Sequence, residues 1–257
     1  MLSLRTTAVM LSLSAAFVFT PACSKSTQEA PNQATAAATS LKLKKGQVLS
    51  IILPQAKADA SEARQQYYKQ AFTLGAKFGL QREAVLAMDD VIISDYKPSG
   101  LIFYSYPDAA SEKGLSSAPE WPAIKAMRPG IWQELKIYTA ELDSDLDLNF
   151  DPDKSYTLVV AWLNPENPDD YQRYLKGIEP AVAAAGGRFI YKMFNPQYEA
   201  NGSTNTNTAP GQLTFVEWDT LDGFTKVRTS AEYKANARYF GTGTTKVEFY
   251  RMKTRPQ

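Results

Sequence analysis

An internal repeat restricts the fold of this sequence more than any other feature. Each half has the predicted order strand, helix, strand, strand, helix, strand, from residues 48–53 to 132–142 and again from 156–163 to 245–252. Five residues of the first helix recur 107 positions later: Gln65, Tyr67, Lys69, Ala76 and Gly79 as Gln172, Tyr174, Lys176, Ala183 and Gly186. Five others recur 112 positions later: Leu101, Phe103, Glu120, Ala123 and Tyr138 as Leu213, Phe215, Glu232, Ala235 and Tyr250. The pattern indicates an internal duplication, with a second-half loop (residues 200–211) longer by five residues (112 minus 107).

The strand pattern predicts how the two halves combine. A βαββαβ unit forms a four-stranded antiparallel sheet with both helices on one face. The segments 48–53, 101–106 and 156–163 are apolar almost throughout, which is typical of strands buried on both faces. We therefore expect an α+β fold of tandem ferredoxin-like βαββαβ repeats. Their two antiparallel four-stranded sheets would pack as an intramolecular α/β barrel, a pseudo-dimer within one chain.

The first 45 residues have the composition of a targeting segment and a tether. Residues 1–22 carry one arginine, an apolar run too short for the roughly 20 residues of a membrane span, and small residues before the single cysteine. The sequence Thr20-Pro21-Ala22-Cys23 resembles the lipobox of bacterial lipoproteins, which implies that Cys23 is lipidated and anchors the chain to a membrane. Ser24 after the cysteine implies the outer membrane, with the protein facing the periplasm. Ordinary cleavage after Ala22, leaving Cys23 as a free thiol, is the alternative.

These observations predict a five-part organisation. Residues 1–22 form a signal peptide, 23–45 a lipidated tether, 46–142 the first repeat, 143–154 an acidic linker and 155–257 the second repeat. The linker has aspartates at alternate positions like the start of a calcium loop. However, Leu148 and Lys154 replace the glycine and glutamate that such a loop requires. We expect a solvated linker and no metal site.

Composition excludes several chemistries. The chain has no histidine, so it has no histidine-dependent catalytic pair and no histidine-ligated metal or haem. We predict no cofactor and identify no catalytic residue. With 28 basic and 27 acidic residues, the charge gives no reason to expect nucleic acid.

Aromatic residues and one carboxylate are the candidate pocket lining. The set is Tyr104, Tyr106, Tyr138, Trp162, Glu217, Trp218 and Tyr250. Inside the predicted barrel they would suit a small apolar or aromatic ligand, and ordinary aromatic core is the alternative. The closing strands of the two halves also carry reversed charges, which suggests that Glu134 pairs with Lys246 and Lys136 with Glu248.

Three segments of the second half carry a family resemblance: AAAGGRF (183–189), LTFVEW (213–218) and TSAEYKANAR (229–238). Through them, residues 154–253 resemble a domain-of-unknown-function family of the dimeric α/β-barrel superfamily, and the first half fits as its diverged duplicate. The resemblance implies a ferredoxin-like barrel and supplies no catalytic residues. The superfamily includes monooxygenases, isomerases and haem-using chlorite dismutases.

The predicted function is that of an envelope lipoprotein of unknown reaction, a non-catalytic binding or interaction module with a pocket in the barrel. The alternative is a cofactor-independent oxygenase or isomerase that uses tyrosine and Glu217.

Overall fold

Residues 39–200, 203–204 and 209–254 are described by the computed structural model. The predicted signal peptide, Cys23 and most of the predicted tether lie outside these residues. Within them the strands are β1 (Thr39–Leu43), β2 (Val48–Ala56), β3 (Gln81–Ile93), β4 (Gly100–Tyr106), β5 (Trp132–Glu141), β6 (Leu146–Phe150), β7 (Ser155–Leu163), β8 (Gly187–Phe194), β9 (Gln197–Ala200), β10 (Ser203–Thr204), β11 (Gln212–Trp218) and β12 (Thr244–Thr254). The helices are α1 (Ser61–Ala76), α2 (Ala109–Ser116), α3 (Trp121–Ala126), α4 (Arg128–Ile131), α5 (Asp170–Ala184), α6 (Gly223–Thr229) and α7 (Ala231–Gly243).

Ten of these strands form one antiparallel sheet, in the order β10-β9-β5-β2-β4-β3-β12-β7-β11-β8. Within each half the order is fourth, first, third and second strand, as β5-β2-β4-β3 and as β12-β7-β11-β8. The halves join where β3 pairs with β12, with Arg251 opposite Asp90 and Lys253 opposite Ala87. The prediction of two four-stranded sheets packed against each other is therefore wrong, because the β3–β12 ladder joins the two halves in a single sheet.

The sheet is also not closed as a barrel, since its hydrogen-bonded order ends at β8 on one side and at β10 on the other. The two ends are nevertheless close along the chain. Strand β8 pairs with β11 and β9 pairs with β5, and only Asn195 and Pro196 separate β8 from β9. Asn195 has a left-handed φ of 44°, a conformation that asparagine tolerates better than most residues. This bend moves the chain from the edge of one half to the edge of the other.

The inner face of the sheet is filled by side chains from both halves. Leu49 and Phe103 of the first half share one buried cluster with Leu158 and Phe215 of the second. The rings of Phe103 and Phe215 lie 5.7 Å apart. Alternate residues of β2 face the other way, so that Ile52 packs under the helices while Ile51 lies in the inner core. This confirms the inference that the apolar strands are buried on both faces.

A second, two-stranded sheet lies in segments that the sequence assigns to the tether and the linker. Strand β1 pairs antiparallel with β6, and Leu41 and Phe150 are fully buried in the inner core. On the outward side, Lys42 Nζ lies 3.1 Å from the Asp147 carboxylate, and Lys44 Nζ lies 2.7 Å from that of Asp145. Residues 39–43 and 146–150 therefore belong to the folded domain.

No helix among the described residues is long and apolar enough to cross a membrane.

Candidate functional site

The helix layers of the two halves are packed differently. In the second half, α5 and the 13-residue α7 meet through aromatic rings, with Tyr174 and Phe240 at 4.9 Å between centroids. In the first half the corresponding chain forms α3 and α4, of six and four residues, each with a proline in its first two positions. Proline is accepted at a helix start but cannot continue a preceding helix. The prolines Pro122 and Pro129 therefore divide this layer into short helices.

A cavity of about 590 Å³ lies in this first-half layer. It is bounded by the outer faces of β2, β4 and β5, by the helices of the first half, and at one edge by β9. Aromatic rings form much of its wall: Tyr67, Tyr68, Phe72, Tyr104, Trp121 and Trp132. Stacked rings of Tyr68 and Phe72 lie 5.5 Å apart, and Phe72 and Tyr104 lie 5.7 Å apart. Volume and lining are typical of a site for a flat, largely apolar molecule.

Four charged side chains lie in the cavity wall. Arg128, whose side chain is only 5% exposed, donates from Nε to the Tyr67 hydroxyl at 2.9 Å and from Nη1 to Glu199 Oε1 at 2.5 Å. Lys125 Nζ lies 3.1 Å from the same Glu199 oxygen. The Arg128 guanidinium also lies 5.3 Å from the centre of the Trp121 ring, within the range of a cation–π interaction.

Glu112 is the fourth charged residue of the wall. Burial, with a smaller contribution from the charge of Glu199, raises the pKa of its carboxyl group above the ordinary value. Its side chain accepts no hydrogen bond from the described part of the chain. Burial also raises the pKa of Tyr104 and of Tyr106, so both hydroxyls remain protonated at neutral pH. The cavity thus offers tyrosine hydroxyls as donors and Glu112 as a proton acceptor.

A second cavity, of about 480 Å³, lies where the two halves meet. In its wall Lys136 Nζ lies 2.6 Å from Glu248 Oε1, with both side chains at most 4% exposed, so the predicted Lys136–Glu248 pair is confirmed. The predicted Glu134–Lys246 pair is not among the ion pairs of the described residues. Glu134 instead contacts Lys136 at 3.3 Å, and Lys246 contacts Glu248 at 3.0 Å. The four groups form a chain of alternating charge.

The seven predicted pocket residues do not meet in one place. Tyr104 and Tyr106 line the first-half cavity. Tyr138 and Tyr250 are fully buried in the inner core, and Trp162 packs at its margin. The inner face of the sheet is therefore packed, and the ligand-sized cavity lies on the outer face, under the helices of the first half.

The other two candidates lie in the second half. Trp218 is buried in the second-half helix layer, where its Nε1 donates to Thr157 Oγ1 at 2.8 Å. Glu217 is 8% exposed and pairs with Arg188 at 3.0 Å. Neither residue lines the first-half cavity.

Sequence reasoning missed the charged residues of the cavity. Arg128 falls between the predicted second helix of the first half and the strand predicted at 132–142, and Glu199 lies 71 residues further on. One signal was available, because position 128 plus the repeat spacing of 112 is Phe240. A charged residue at a position where the other repeat has an apolar aromatic residue indicates a role other than core packing.

The described residues contain no cluster of acidic, cysteine or histidine side chains that could hold a metal ion. The wall of the first-half cavity also contains no histidine, cysteine or methionine. This donor set does not fit a haem with any of those axial ligands.

Comparisons with known proteins agree with this architecture. The family described as "Domain of unknown function (DUF1330)" matches residues 156–248, that is, most of the second half. The crystal structure of an anthrone oxidase-like protein has a TM-score of 0.51 at 12% identity, over 83% of this chain and 94% of that chain. This chain therefore has a fold similar to that of the anthrone oxidase-like protein.

Other solved structures are similar over a comparable share of the chain. A candidate monooxygenase from Fusobacterium nucleatum has a TM-score of 0.44 at 13% identity, covering 82% of this chain and 93% of its own. A mutant chlorite dismutase from Candidatus Nitrospira defluvii has a TM-score of 0.43 at 10% identity, covering 82% and 93%. No curated protein matches the sequence.

Proposed function

We propose that this protein binds a small, planar and largely apolar molecule in the cavity of its first half. The observation that carries the proposal is a ligand-sized space of about 590 Å³ in the helix layer of one repeat, with the buried Arg128 in its wall. Ligand sites in proteins have this volume and this combination of apolar wall and few polar groups. The aromatic rings would stack on the flat faces of the ligand.

Binding of N-phenyl-1-naphthylamine, a neutral probe whose fluorescence rises in apolar surroundings, tests the proposal. Ala71 is buried in the cavity wall on α1, and Ala71→Trp places an indole in the space. We expect the wild type to bind the probe and Ala71→Trp to bind it at least about tenfold more weakly, a change of about 1.4 kcal/mol.

The matched control is Ala76→Trp, which adds the same side chain at an exposed position of the same helix. It should bind the probe like the wild type. Equal binding by wild type and Ala71→Trp, with both proteins folded by circular dichroism, would mean that the probe binds elsewhere and would overturn the proposal.

A cofactor-independent oxygenase is the second candidate, and Glu112 is the observation that favours it. A partly buried carboxyl with a raised pKa is suited to general-base catalysis, and Arg128 could stabilise an oxyanion formed in the same cavity. Anthrone is a suitable trial substrate, given the name of the anthrone oxidase-like protein of the same fold. One anthrone and one O₂ give one anthraquinone and one water, with Glu112 taking the first proton from the ring carbon.

Oxygen consumption with anthrone distinguishes the two candidates. An oxygenase would raise the rate above the spontaneous oxidation in buffer and lose that increase in Glu112→Gln. A rate equal to that of buffer, with probe binding intact, would leave the binding function alone.

We further propose that the chain is a lipid-anchored protein of the cell envelope, held at the outer membrane through Cys23 and facing the periplasm. The sequence of residues 1–23 supports this proposal. A radioactive fatty acid should label the wild type and not Cys23→Ala. Label that persists in Cys23→Ala would overturn the anchor.

A further inference from the structure

Arg128 and Lys125 place two positive charges on one carboxylate oxygen in the first-half cavity. The distances are 2.5 Å from Arg128 Nη1 and 3.1 Å from Lys125 Nζ to Glu199 Oε1. Lys125 comes from α3, Arg128 begins α4, and Tyr67 on α1 fixes the guanidinium by accepting a bond from Nε. Both cationic side chains therefore come from helices of the first half.

The carboxylate comes from elsewhere in the fold. Glu199 lies on β9, a strand of four residues that follows the bend at Asn195 and belongs to the second half of the chain. It pairs with the edge of β5, and its other partner is the two-residue strand β10. The anion thus reaches the cations on a short strand near the end of the sheet, where few backbone bonds hold it.

Packing does not explain why a cation lies here. The repeat spacing places Phe240 of the second half at the position of Arg128, and Phe240 packs on Tyr174 as Arg128 lies against Tyr67. A buried guanidinium loses its hydration, and a well-packed apolar residue is often at least as stabilising. Ligand binding gives a reason for an arginine at the position where the other repeat has phenylalanine.

We propose that Arg128 and Lys125 form an anion site. In this structure the Glu199 carboxylate occupies the site, and an anionic oxygen group of the ligand replaces that carboxylate on binding. The inference rests on the proposed binding function and specifies its ligand class: a planar aromatic molecule with a carboxylate, sulfonate or similar oxyanion. The ring system occupies the aromatic wall while the anion bonds to the guanidinium and the ammonium group. Glu112 in the same wall is the one further carboxyl that such a ligand meets there.

Two probes of the same skeleton test this. The anion 8-anilinonaphthalene-1-sulfonate and the neutral N-phenyl-1-naphthylamine differ by one sulfonate group. The readout is the ratio of the anionic to the neutral affinity, which cancels any general effect of a variant on the fold. Hydrogen bonds to charged groups strengthen binding enough that we expect the wild type to bind the anionic probe about ten times or more as tightly as the neutral probe.

The charge variants should move this ratio in opposite directions. Arg128→Gln should lower it about tenfold and Lys125→Gln about threefold, since Lys125 is more exposed. Glu199→Gln should raise it, because the internal anion no longer competes. Lys125→Gln also covers the case in which Arg128→Gln does not fold.

The outcomes separate this inference from the proposed function. A wild-type ratio near one, or a ratio that falls in Glu199→Gln, would overturn the anion site while probe binding persists. If neither probe binds, or if Ala71→Trp weakens neither, the cavity is not a binding site and both proposals fail.

Discussion

At the scale of single residues, the buried ion pair between Lys136 and Glu248 joins the two repeats. Each side chain is at most 4% exposed, and further contacts come from Glu134, from Lys246 and from the Tyr250 hydroxyl, which donates to Glu248 at 2.8 Å. Removing one partner of a buried pair leaves a charge without compensation, whereas removing both can be nearly neutral.

We predict that Lys136→Met lowers the free energy of unfolding by about 3 kcal/mol. The double variant with Glu248→Met should lose clearly less than the sum of the two single variants. Urea unfolding of the four proteins gives this comparison, and strictly additive losses would contradict the prediction. Glu134→Gln, at a partly exposed position, is the control and should change stability little.

Glu248 also predicts a dependence on pH. Burial alone would raise the pKa of this carboxyl, but the hydrogen bond and charge of Lys136, with Lys246 and Tyr250, bring the pKa below its ordinary value. A group whose pKa is lowered by folding stabilises the folded state above its unfolded pKa, about 4.3, and loses that contribution as pH falls through the folded pKa.

The stability difference between wild type and Glu248→Gln should therefore be complete at pH 6 and shrink below about pH 4.3. Thermal unfolding across pH 3 to 6 measures it. A difference that stays constant down to pH 3 would show that ionised Glu248 is not the cause.

At the scale of elements, β1 and β6 show that short charged strands can belong to the core. Leu41 is fully buried in the inner core, while the next residue, Lys42, points outward to Asp147. We predict that Leu41→Ala destabilises the protein by about 3 kcal/mol and that Lys42→Ala has little effect, since exposed ion pairs contribute little. Chemical denaturation of both variants checks this. Similar small losses for both would place β1 outside the cooperative fold.

The sequence was sufficient for the main strands of each half and for their order. Strand β5 runs from Trp132 to Glu141, where a strand at 132–142 is predicted, because long apolar runs give a strong signal. Strands β1 and β6 were missed because each is only five residues long and alternates with charges, which is also the pattern of a linker. The alternating apolar residues of β6, Leu146, Leu148 and Phe150, are the sequence pattern that indicates a strand there.

The site was less predictable than the fold. The alternation of residues along β4 correctly separates its two faces. The sequence of the strand does not indicate which of these faces lines a cavity. Tyr104 and Tyr106 were placed in the barrel interior and instead line the helix layer. Glu199 reaches Arg128 only through the crossing of β9 to the edge of β5, a long-range contact that no local pattern specifies.

At the scale of the whole molecule, the shared inner core and the β3–β12 ladder predict one cooperative unfolding transition. Single-tryptophan variants report on each half, one retaining Trp132 of the first helix layer and the other Trp218 of the second, with phenylalanine at the other three tryptophans. Their fluorescence should give the same urea midpoint as far-UV circular dichroism of the same variant. A fluorescence midpoint that differs from the circular-dichroism midpoint of the same variant would mean that the halves unfold separately.

The unequal helix layers have a consequence for how such a protein can change over time. In a symmetric homodimer every substitution is present twice, so opening a space in one subunit opens it in both and doubles the loss of packing. Joining the copies in one chain removes that constraint. Here the second half has a phenylalanine and one long helix where the first half has an arginine and two short helices. Covalent linkage thus allows a division of labour that identical subunits do not permit.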